Sequence, residues 1–173
     1  MSASGASFSE YVKRARKGDA DAFAALYAGI YKDLYRIALC NLRSSHDAAD
    51  AVSDAVLDAF TSIGKLKDEK AFKSWMIKIL TAKIKTKQKE YMNNTTQDIS
   101  DVEQEITDNG FDGLEITEAF GELDENERLV MSLGIVGGYS SDEIAKLCNM
   151  KAATVRSKLS RARIKLRNRL SSE

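Results

Sequence analysis

The chain has 173 residues and a formal net charge of zero, from 26 basic and 26 acidic side chains. Apolar residues make up 43% of it, which is enough for a packed core in one domain or in two small ones. Proline is absent and only 10 residues are glycine, so long helices are favoured and collagen-like or low-complexity chains are excluded. The sequence contains no signal peptide and no apolar run of membrane-spanning length, and it therefore predicts a cytosolic protein.

The first half of the chain has the pattern of successive amphipathic helices. Residues Phe8–Arg16 predict a short opening helix, and Asp19 is placed to cap the next one. Apolar residues then recur every three or four positions from Phe23 to Leu42, which is typical of one long helix with a buried face. After a turn predicted at residues 44–47, a further helix runs to about Ile63.

The helix that follows this turn carries a line of acidic residues on one face. They are spaced by three, four and four positions, with no basic residue among them: Asp47, Asp50, Asp54 and Asp58. Like charges at such spacings repel one another and weaken a helix by a few tenths of a kcal/mol per pair. The pattern fits either a face that is simply solvated or a docking face for a basic partner.

A lysine-rich region follows, with nine lysines and three acids between Lys65 and Glu90. We expect a loop at Gly64–Lys70 and then a helix with an apolar face formed by Phe72, Trp75, Met76, Ile79 and Leu80. Its outer face carries Lys73, Lys78, Lys85 and Lys89. Since Trp75 fits the apolar face, we predict that it is a core residue rather than a platform for stacking bases.

Residues 91–112 lose all periodicity and contain acidic and amide side chains but no Lys or Arg, which is the composition of a linker. Two more helices are predicted after it, at Leu114–Phe120 and Asn126–Ile135. The sequence therefore predicts an all-α protein with two small helical domains, residues 1–90 and 113–173, joined by a flexible acidic linker.

The most informative stretch of the chain is residues 139–170. Ser140 and Glu143 form a capping box that begins a helix, and Asn149 can end it because its short side chain tolerates positive φ. A second helix begins near Lys151, with one apolar face formed by Val155, Leu159, Ala162 and Leu166. Its other face is basic and carries Arg156, Lys158, Arg161, Arg163, Lys165, Arg167 and Arg169. Two short helices of this kind predict a helix-turn-helix.

The chain resembles the extracytoplasmic-function (ECF) group of the sigma-70 family, which are sigma subunits of bacterial RNA polymerase. The resemblance is carried in the first half by Asp47–Asp54 and Phe72–Ile79. In the second half it is carried by Leu123-Asp124, Arg128, Tyr139–Ala145, Thr154–Ser157 and Ser160–Arg163. The chain departs from the family pattern at Ala82, where the family often has Asn, and at Ser53, where it has Gln. Lys151 also stands where the family has a capping Ser or Pro.

The resemblance implies a protein without covalent chemistry that gives the polymerase sequence specificity and helps to separate the DNA strands. It implies that the acidic helix docks on the clamp helices of the largest polymerase subunit through Asp47, Asp50, Ser53 and Asp54. The lysine-rich helix would face the melted promoter element nearest the start site (the −10 element), with Lys78 and Lys85 on the DNA backbone.

By the same resemblance, the second helix of the helix-turn-helix lies in the major groove of the upstream −35 element. Arg156, Ser157 and Ser160 are then expected at base edges, and Thr154, Lys158, Arg161 and Arg163 at phosphates. The expected partners are promoter DNA and core RNA polymerase, with an anti-sigma factor as a possible third. No catalytic residue, metal, cofactor or small-molecule substrate is expected.

Two other functions compete with this interpretation. A response-regulator or quorum-type activator also carries Glu-Ile-Ala and Thr-Val in its helix-turn-helix, but the front half here shows no strand alternation and no phosphoacceptor pattern. An enzyme is disfavoured because His46, the sole histidine, has no nucleophile–base arrangement around it. Cys40 and Cys148 are predicted to be buried free thiols rather than a disulfide or a metal site.

Overall fold

The computed structural model describes residues 7–93 and 113–171, and every regular element in these ranges is helical. The first range holds α1 (Phe8–Arg16), α2 (Ala20–Leu42), α3 (Ser45–Ser62) and α4 (Phe72–Asn93). The second holds α5 (Gly113–Phe120), α6 (Glu125–Ile135), α7 (Ser141–Cys148) and α8 (Ala152–Ser171). The all-α prediction is confirmed. None of the helices in these ranges combines the length and the apolar character that crossing a bilayer requires.

Side-chain caps determine where most of these helices begin. Asp19 accepts hydrogen bonds from the backbone N–H groups of Asp21 and Ala22 at 3.1 and 3.2 Å, as predicted for the start of α2. Ser44 caps α3 immediately after Arg43, which ends α2 in the left-handed conformation with φ 58°. The turn predicted at residues 44–47 is therefore too long, because a single left-handed residue reverses the chain and a serine starts the next helix.

The helix-turn-helix has the predicted local geometry. Ser140 and Glu143 form the capping box of α7, and Asn149 ends that helix with φ 53°. A second capping box, between Asp124 and Glu127, begins α6. Such caps depend on residues three positions apart, and of these two boxes only that of α7 was predicted from the sequence.

The core of the N-terminal half is built around α2. This helix packs against α1, α3 and α4, and the ring of Phe23 lies between those of Phe60 and Phe72 at centroid distances of 5.3 and 6.3 Å. Trp75 is only half-buried, and its ring centroid lies 6.2 Å from that of Phe72. The prediction that it belongs to the core is therefore correct only in part. Two 3-10 segments, Ile63–Lys65 and Glu69–Ala71, occupy much of the region predicted to be a loop.

The two halves are packed together in one hydrophobic cluster. Helix α2 contacts α5 and α6, and α4 contacts α7 of the helix-turn-helix. Helix α4 also continues to Asn93, past the predicted domain boundary at residue 90. Its buried residues include four that the sequence pattern did not place inward: Ile77, Thr81, Ile84 and Gln88. Because α4 is packed against α2, α3 and α7, more of its circumference is covered than one apolar stripe predicts.

Candidate nucleic-acid and protein interfaces

The acidic face of α3 lies beside basic residues of α4. Lys83 Nζ lies 2.6 Å from Asp58 Oδ2, and Lys87 Nζ lies 3.7 Å from Asp50 Oδ2. Tyr91 donates its hydroxyl hydrogen bond to Asp47, and burial together with that carboxylate raises the pKa of Tyr91. The acidic line thus has no Lys or Arg within its own helix, but lysines of the neighbouring helix neutralise part of its charge.

The outer part of the same helix stays open to solvent. Ser53 and Asp54 are exposed, and Leu57 is 65% exposed although it is a large apolar side chain. Together with Asp50 they lie at positions i, i+3, i+4 and i+7, which share one face of a helix. We call this group, Asp50, Ser53, Asp54 and Leu57, the α3 surface. Leu57 was not predicted to belong to this surface, although its spacing of seven positions from Asp50 places it on the same helix face.

A group of possible cation ligands lies at the start of α3. One ligand atom each from His46, Asp47 and Asp50 falls within 4.8 Å of the others. His46 Nε2 also lies 3.4 Å from Asp50 Oδ2, and His46 is exposed. Since exposed acidic groups often lie this close together without an ion, these three residues do not by themselves define a metal site.

The predicted −10 residues lie on the open side of α4. Lys78, Ala82 and Lys85 are exposed, whereas Lys73 is half-buried and its Nζ lies 3.0 Å from Asp33 Oδ2 on α2. A shallow cleft of about 320 Å³ lies between α3 and α4. It is lined by Asp58, Thr61, Ser62, Ile79, Ala82, Lys83 and Thr86.

The predicted −35 residues lie on the outer face of α8. This helix buries Val155, Leu159 and Ala162, as its apolar spacing predicts. All but one of the predicted DNA contacts are exposed: Thr154, Arg156, Ser157, Ser160, Arg161 and Arg163. Lys158 is half-buried. The first two turns of α8 thus expose three hydroxyl or guanidinium groups, those of Thr154, Arg156 and Ser157, and the following turns expose three more.

The basic face of α8 is shorter than the sequence suggests. Lys165 Nζ donates hydrogen bonds to both carboxylate oxygens of Glu127 on α6, at 3.1 and 2.8 Å. The side chain of Glu127 is 3% exposed, so this pair is a packing contact between helices. Arg169 likewise lies 3.7 Å from Glu118 and 3.8 Å from Glu122. The last third of α8 therefore anchors this helix to the rest of the molecule.

Replacing Lys165 with Met is expected to lower the free energy of unfolding by roughly 2 kcal/mol, because it leaves the Glu127 carboxylate buried without its cation. Urea denaturation measures the effect. The matched control is Lys151→Met, which makes the same replacement at an exposed position. Combining Lys165→Met with Glu127→Gln should restore part of the loss, and a double variant no more stable than Lys165→Met would contradict the assignment.

Two family models match the chain, and together they cover more than half of it. The model described as sigma-70 region 2 matches residues 26–91, and the model described as sigma-70, region 4 matches residues 113–166. The chain belongs to the sigma-70 family. Its relatives identify the group within that family. The ECF RNA polymerase sigma factor SigW of Bacillus subtilis is 27% identical over 92% of this chain and 94% of its own length.

A second relative, the ECF RNA polymerase sigma factor SigM of Mycobacterium tuberculosis, is 27% identical over 86% of this chain and 77% of its own length. Among solved structures, CnrH in complex with the cytosolic domain of CnrY superposes with a TM-score of 0.72 at 20% identity, over 95% of this chain and 97% of CnrH. RpoE from Bartonella quintana, in complex with the anti-sigma factor NepR, also gives a TM-score of 0.72 at 20% identity. It covers 86% of this chain and 96% of RpoE.

This protein is therefore an RNA polymerase sigma factor that acts in transcription initiation, and the activator interpretation is not favoured. The region 2 match extends from within α2 almost to the end of α4, and includes the α3 surface. The region 4 match begins with α5 and extends well into α8. The two surfaces of opposite charge thus fall in different regions of the sigma factor.

Proposed function

We propose that this sigma factor binds core polymerase and promoter DNA through three surfaces, which lie on α3, α4 and α8. Residues 1–90 form the region 2 domain, which docks on core polymerase and faces the −10 element. Residues 113–173 form the region 4 domain, which reads the −35 element, and residues 91–112 link the two. The observation that supports this assignment best is the separation of charge, with exposed acids on α3 and exposed arginines on α8.

The α3 surface is the proposed docking site for the clamp helices of the largest polymerase subunit. It combines the carboxylates of Asp50 and Asp54 with the hydroxyl of Ser53 and the exposed apolar side chain of Leu57. Specific protein interfaces combine apolar side chains with a polar rim, and this surface offers both kinds of side chain. Asp47 stands at the edge of this surface, where Tyr91 holds its carboxylate.

The outer face of α8 is the proposed −35 reader. Arg156, Ser157 and Ser160 lie within the first part of the helix, where a recognition helix meets base edges in the major groove. Thr154, Lys158, Arg161 and Arg163 are assigned to phosphates, which orient the helix without reading sequence. Because Lys165 is held by Glu127, it is left out of the DNA-binding set.

Lys78 and Lys85 are the proposed contacts to the melted −10 strand. Replacing both with Ala should weaken binding of the polymerase holoenzyme to a promoter fragment melted at that element. The slope of log K against the logarithm of the salt concentration should also become less steep by about 1.4, because each lost phosphate contact on single-stranded DNA contributes about 0.7 to that slope. Fluorescence anisotropy over a salt series measures both quantities.

The control for this pair is Lys32→Ala, which removes an exposed lysine from α2. It should leave the affinity and the salt slope unchanged. Equal weakening by Lys32→Ala and by the double variant would show that net charge, rather than the position of the lysines on α4, determines binding.

A protein inhibitor is also part of this proposal. The two solved structures described above hold CnrH with the cytosolic domain of CnrY and RpoE with the anti-sigma factor NepR. We extend this kind of partner, an anti-sigma factor, to the present chain. The site of action is the cytoplasm, where the polymerase transcribes. No metal, cofactor or small-molecule substrate enters the proposal.

Run-off transcription tests the proposed function directly. Purified protein is added to core polymerase from its host on a library of genomic fragments, and transcripts are mapped. Initiation at a defined set of promoters with shared −10 and −35 sequences is the expected result. Absence of initiation at any host promoter, with no inhibitor present, would contradict the proposal.

A further inference from the structure

The shallow cleft between α3 and α4, called the α3–α4 cleft below, opens beside the face of α4 that is assigned to the melted −10 strand. Lys78, Ala82 and Lys85 lie at positions i, i+4 and i+7, so they share one face of α4, and all three are exposed. Ala82 also lines the cleft. A strand held by Lys78 and Lys85 would therefore pass over the mouth of the α3–α4 cleft.

The cleft carries a carboxylate beside a lysine. Asp58 Oδ2 lies 2.6 Å from Lys83 Nζ, and the two side chains are 55% and 29% exposed. A carboxylate close to DNA is repelled by the phosphates, which carry the same charge. It can instead accept a hydrogen bond from the amine of a base, as Asp and Glu do from cytosine N4. Asp58 is thus suited to contacting a base, while Lys83 offsets its charge.

The hydroxyl groups that line the cleft are left as acceptors. Thr61, Ser62 and Thr86 each donate their hydroxyl hydrogen to a backbone carbonyl of the preceding turn of their own helix. Because a hydroxyl has a single hydrogen, only its oxygen lone pairs remain for a ligand. Among the described residues that line the cleft, Lys83 alone has a side chain that offers N–H groups.

A ligand with several N–H donors and one acceptor matches this lining. Cytosine and adenine each carry an amine with two N–H groups beside a ring nitrogen that accepts a hydrogen bond. Thymine has one N–H group and two carbonyl oxygens, so it would place acceptors against the acceptors of the cleft. The half-buried side chain of Ile79 and the methyl group of Ala82 add apolar contacts for the ring of a base.

The small side chain at position 82 keeps the cleft accessible. The α3–α4 cleft has a volume of about 320 Å³, which lies at the lower end of the range for small-ligand sites. Ala82 stands where the sigma family often has Asn, and its methyl group is shorter than that amide. The substitution removes a polar side chain from the face assigned to DNA and leaves Asp58 and Lys83 to contact the same strand.

We propose that the α3–α4 cleft receives one unpaired base of the −10 strand, and that Asp58 and Lys83 select a base with an exocyclic amine, cytosine or adenine. Asp58 accepts a hydrogen bond from the amine, and Lys83 donates one to the neighbouring ring nitrogen. A hydroxyl oxygen of the cleft accepts the second amine hydrogen. Unstacking costs least in a strand that is already melted. The proposal rests on the assignment of α4 to the −10 element.

Base analogues in the promoter test this selection. Holoenzyme is titrated with fragments melted at the −10 element, in which each unpaired position carries in turn cytosine or 2-pyrimidinone, and adenine or purine. The two members of each pair differ only in the amine. At one position, removing the amine should weaken binding about tenfold with the unaltered protein and less than about twofold with Asp58→Ala, since one base contact is lost. Fluorescence anisotropy measures both affinities.

Matched variants separate base selection from charge and from docking. Asp21→Ala removes an exposed acid from α2 and should keep the preference for the amine. Ala82→Leu fills the cleft without changing any charge and should abolish that preference, whereas Ala24→Leu, at an exposed position of α2, should preserve it. The affinity for core polymerase should stay unchanged in all of these variants and in Asp58→Ala, because Asp58 lies outside the α3 surface.

Persistence of the amine preference in Asp58→Ala, or its absence at every position with the unaltered protein, would overturn the proposal. Equal weakening of all fragments by Asp58→Ala, or weaker binding to core polymerase, would also overturn it, since Asp58 would then act through its charge or through docking. The proposed sigma function is judged separately. A holoenzyme that initiates at host promoters and binds the melted fragments without an amine preference refutes the cleft alone, whereas failed run-off transcription contradicts the function.

Discussion

Reversal of Asp50 and Asp54 to Lys is expected to abolish binding of the sigma factor to core polymerase while its helices stay folded. The two carboxylates belong to the α3 surface, and both side chains reach solvent. Replacing them places two cations where the polymerase surface would otherwise meet two anions. Reversing the charge of one partner in a desolvated charge pair costs several kcal/mol. A loss of about 3 kcal/mol corresponds to an affinity more than about a hundredfold weaker.

Co-purification with core polymerase and biolayer interferometry measure this loss. The charge-matched control combines Asp21→Lys with Asp142→Lys, which reverses exposed acids on α2 and α7, away from the α3 surface. Circular dichroism checks that both double variants remain helical. Since Asp50 also lies near Lys87, its reversal brings two lysines together and is expected to lower thermal stability modestly. Unchanged co-purification would count against the docking site.

A second large effect is expected from replacing either of two arginines of α8. The two variants should differ in whether they change promoter preference or weaken binding to all promoters. Arg156→Ala should relax the preference for one base pair of the −35 element, at a cost of about 1–3 kcal/mol on the preferred sequence. Arg163→Ala should instead weaken binding to every promoter to a similar extent and reduce the salt slope by about one. The difference arises because base contacts carry sequence information and phosphate contacts do not.

Competition binding of the holoenzyme across −35 variants, repeated at several salt concentrations, separates these outcomes. Arg16→Ala, an exposed arginine on α1, provides a control that should change neither quantity. If Arg156→Ala lowered the affinity of all −35 variants equally, Arg156 would be a phosphate contact and the proposed base reader would have to be sought at Ser157 or Ser160.

The family match and the structure support one physical picture. The sigma factor exposes an acidic surface with an apolar side chain in region 2 and a cationic helix face in region 4, and the two regions are packed together in the described state.

Much of the fold follows from the sequence because it depends on residues close together in the chain. The cap at Asp19, the capping box of Ser140 and Glu143, and the left-handed Asn149 are decided within three or four residues. The apolar spacing of α2 and α8 identifies their buried faces for the same reason. The exposed arginines of α8 were likewise predictable, since they lie opposite that buried face.

Only the tertiary structure decided which charges are paired and which helices meet. Lys165 lies on the predicted basic face, yet it is bound by Glu127, 38 positions away in the chain. The acidic line of α3 is partly neutralised by Lys83 and Lys87, and the burial of Thr81 comes from a helix covered on several sides. Pairing across space depends on how helices pack, and residue spacing within one helix carries no information about it.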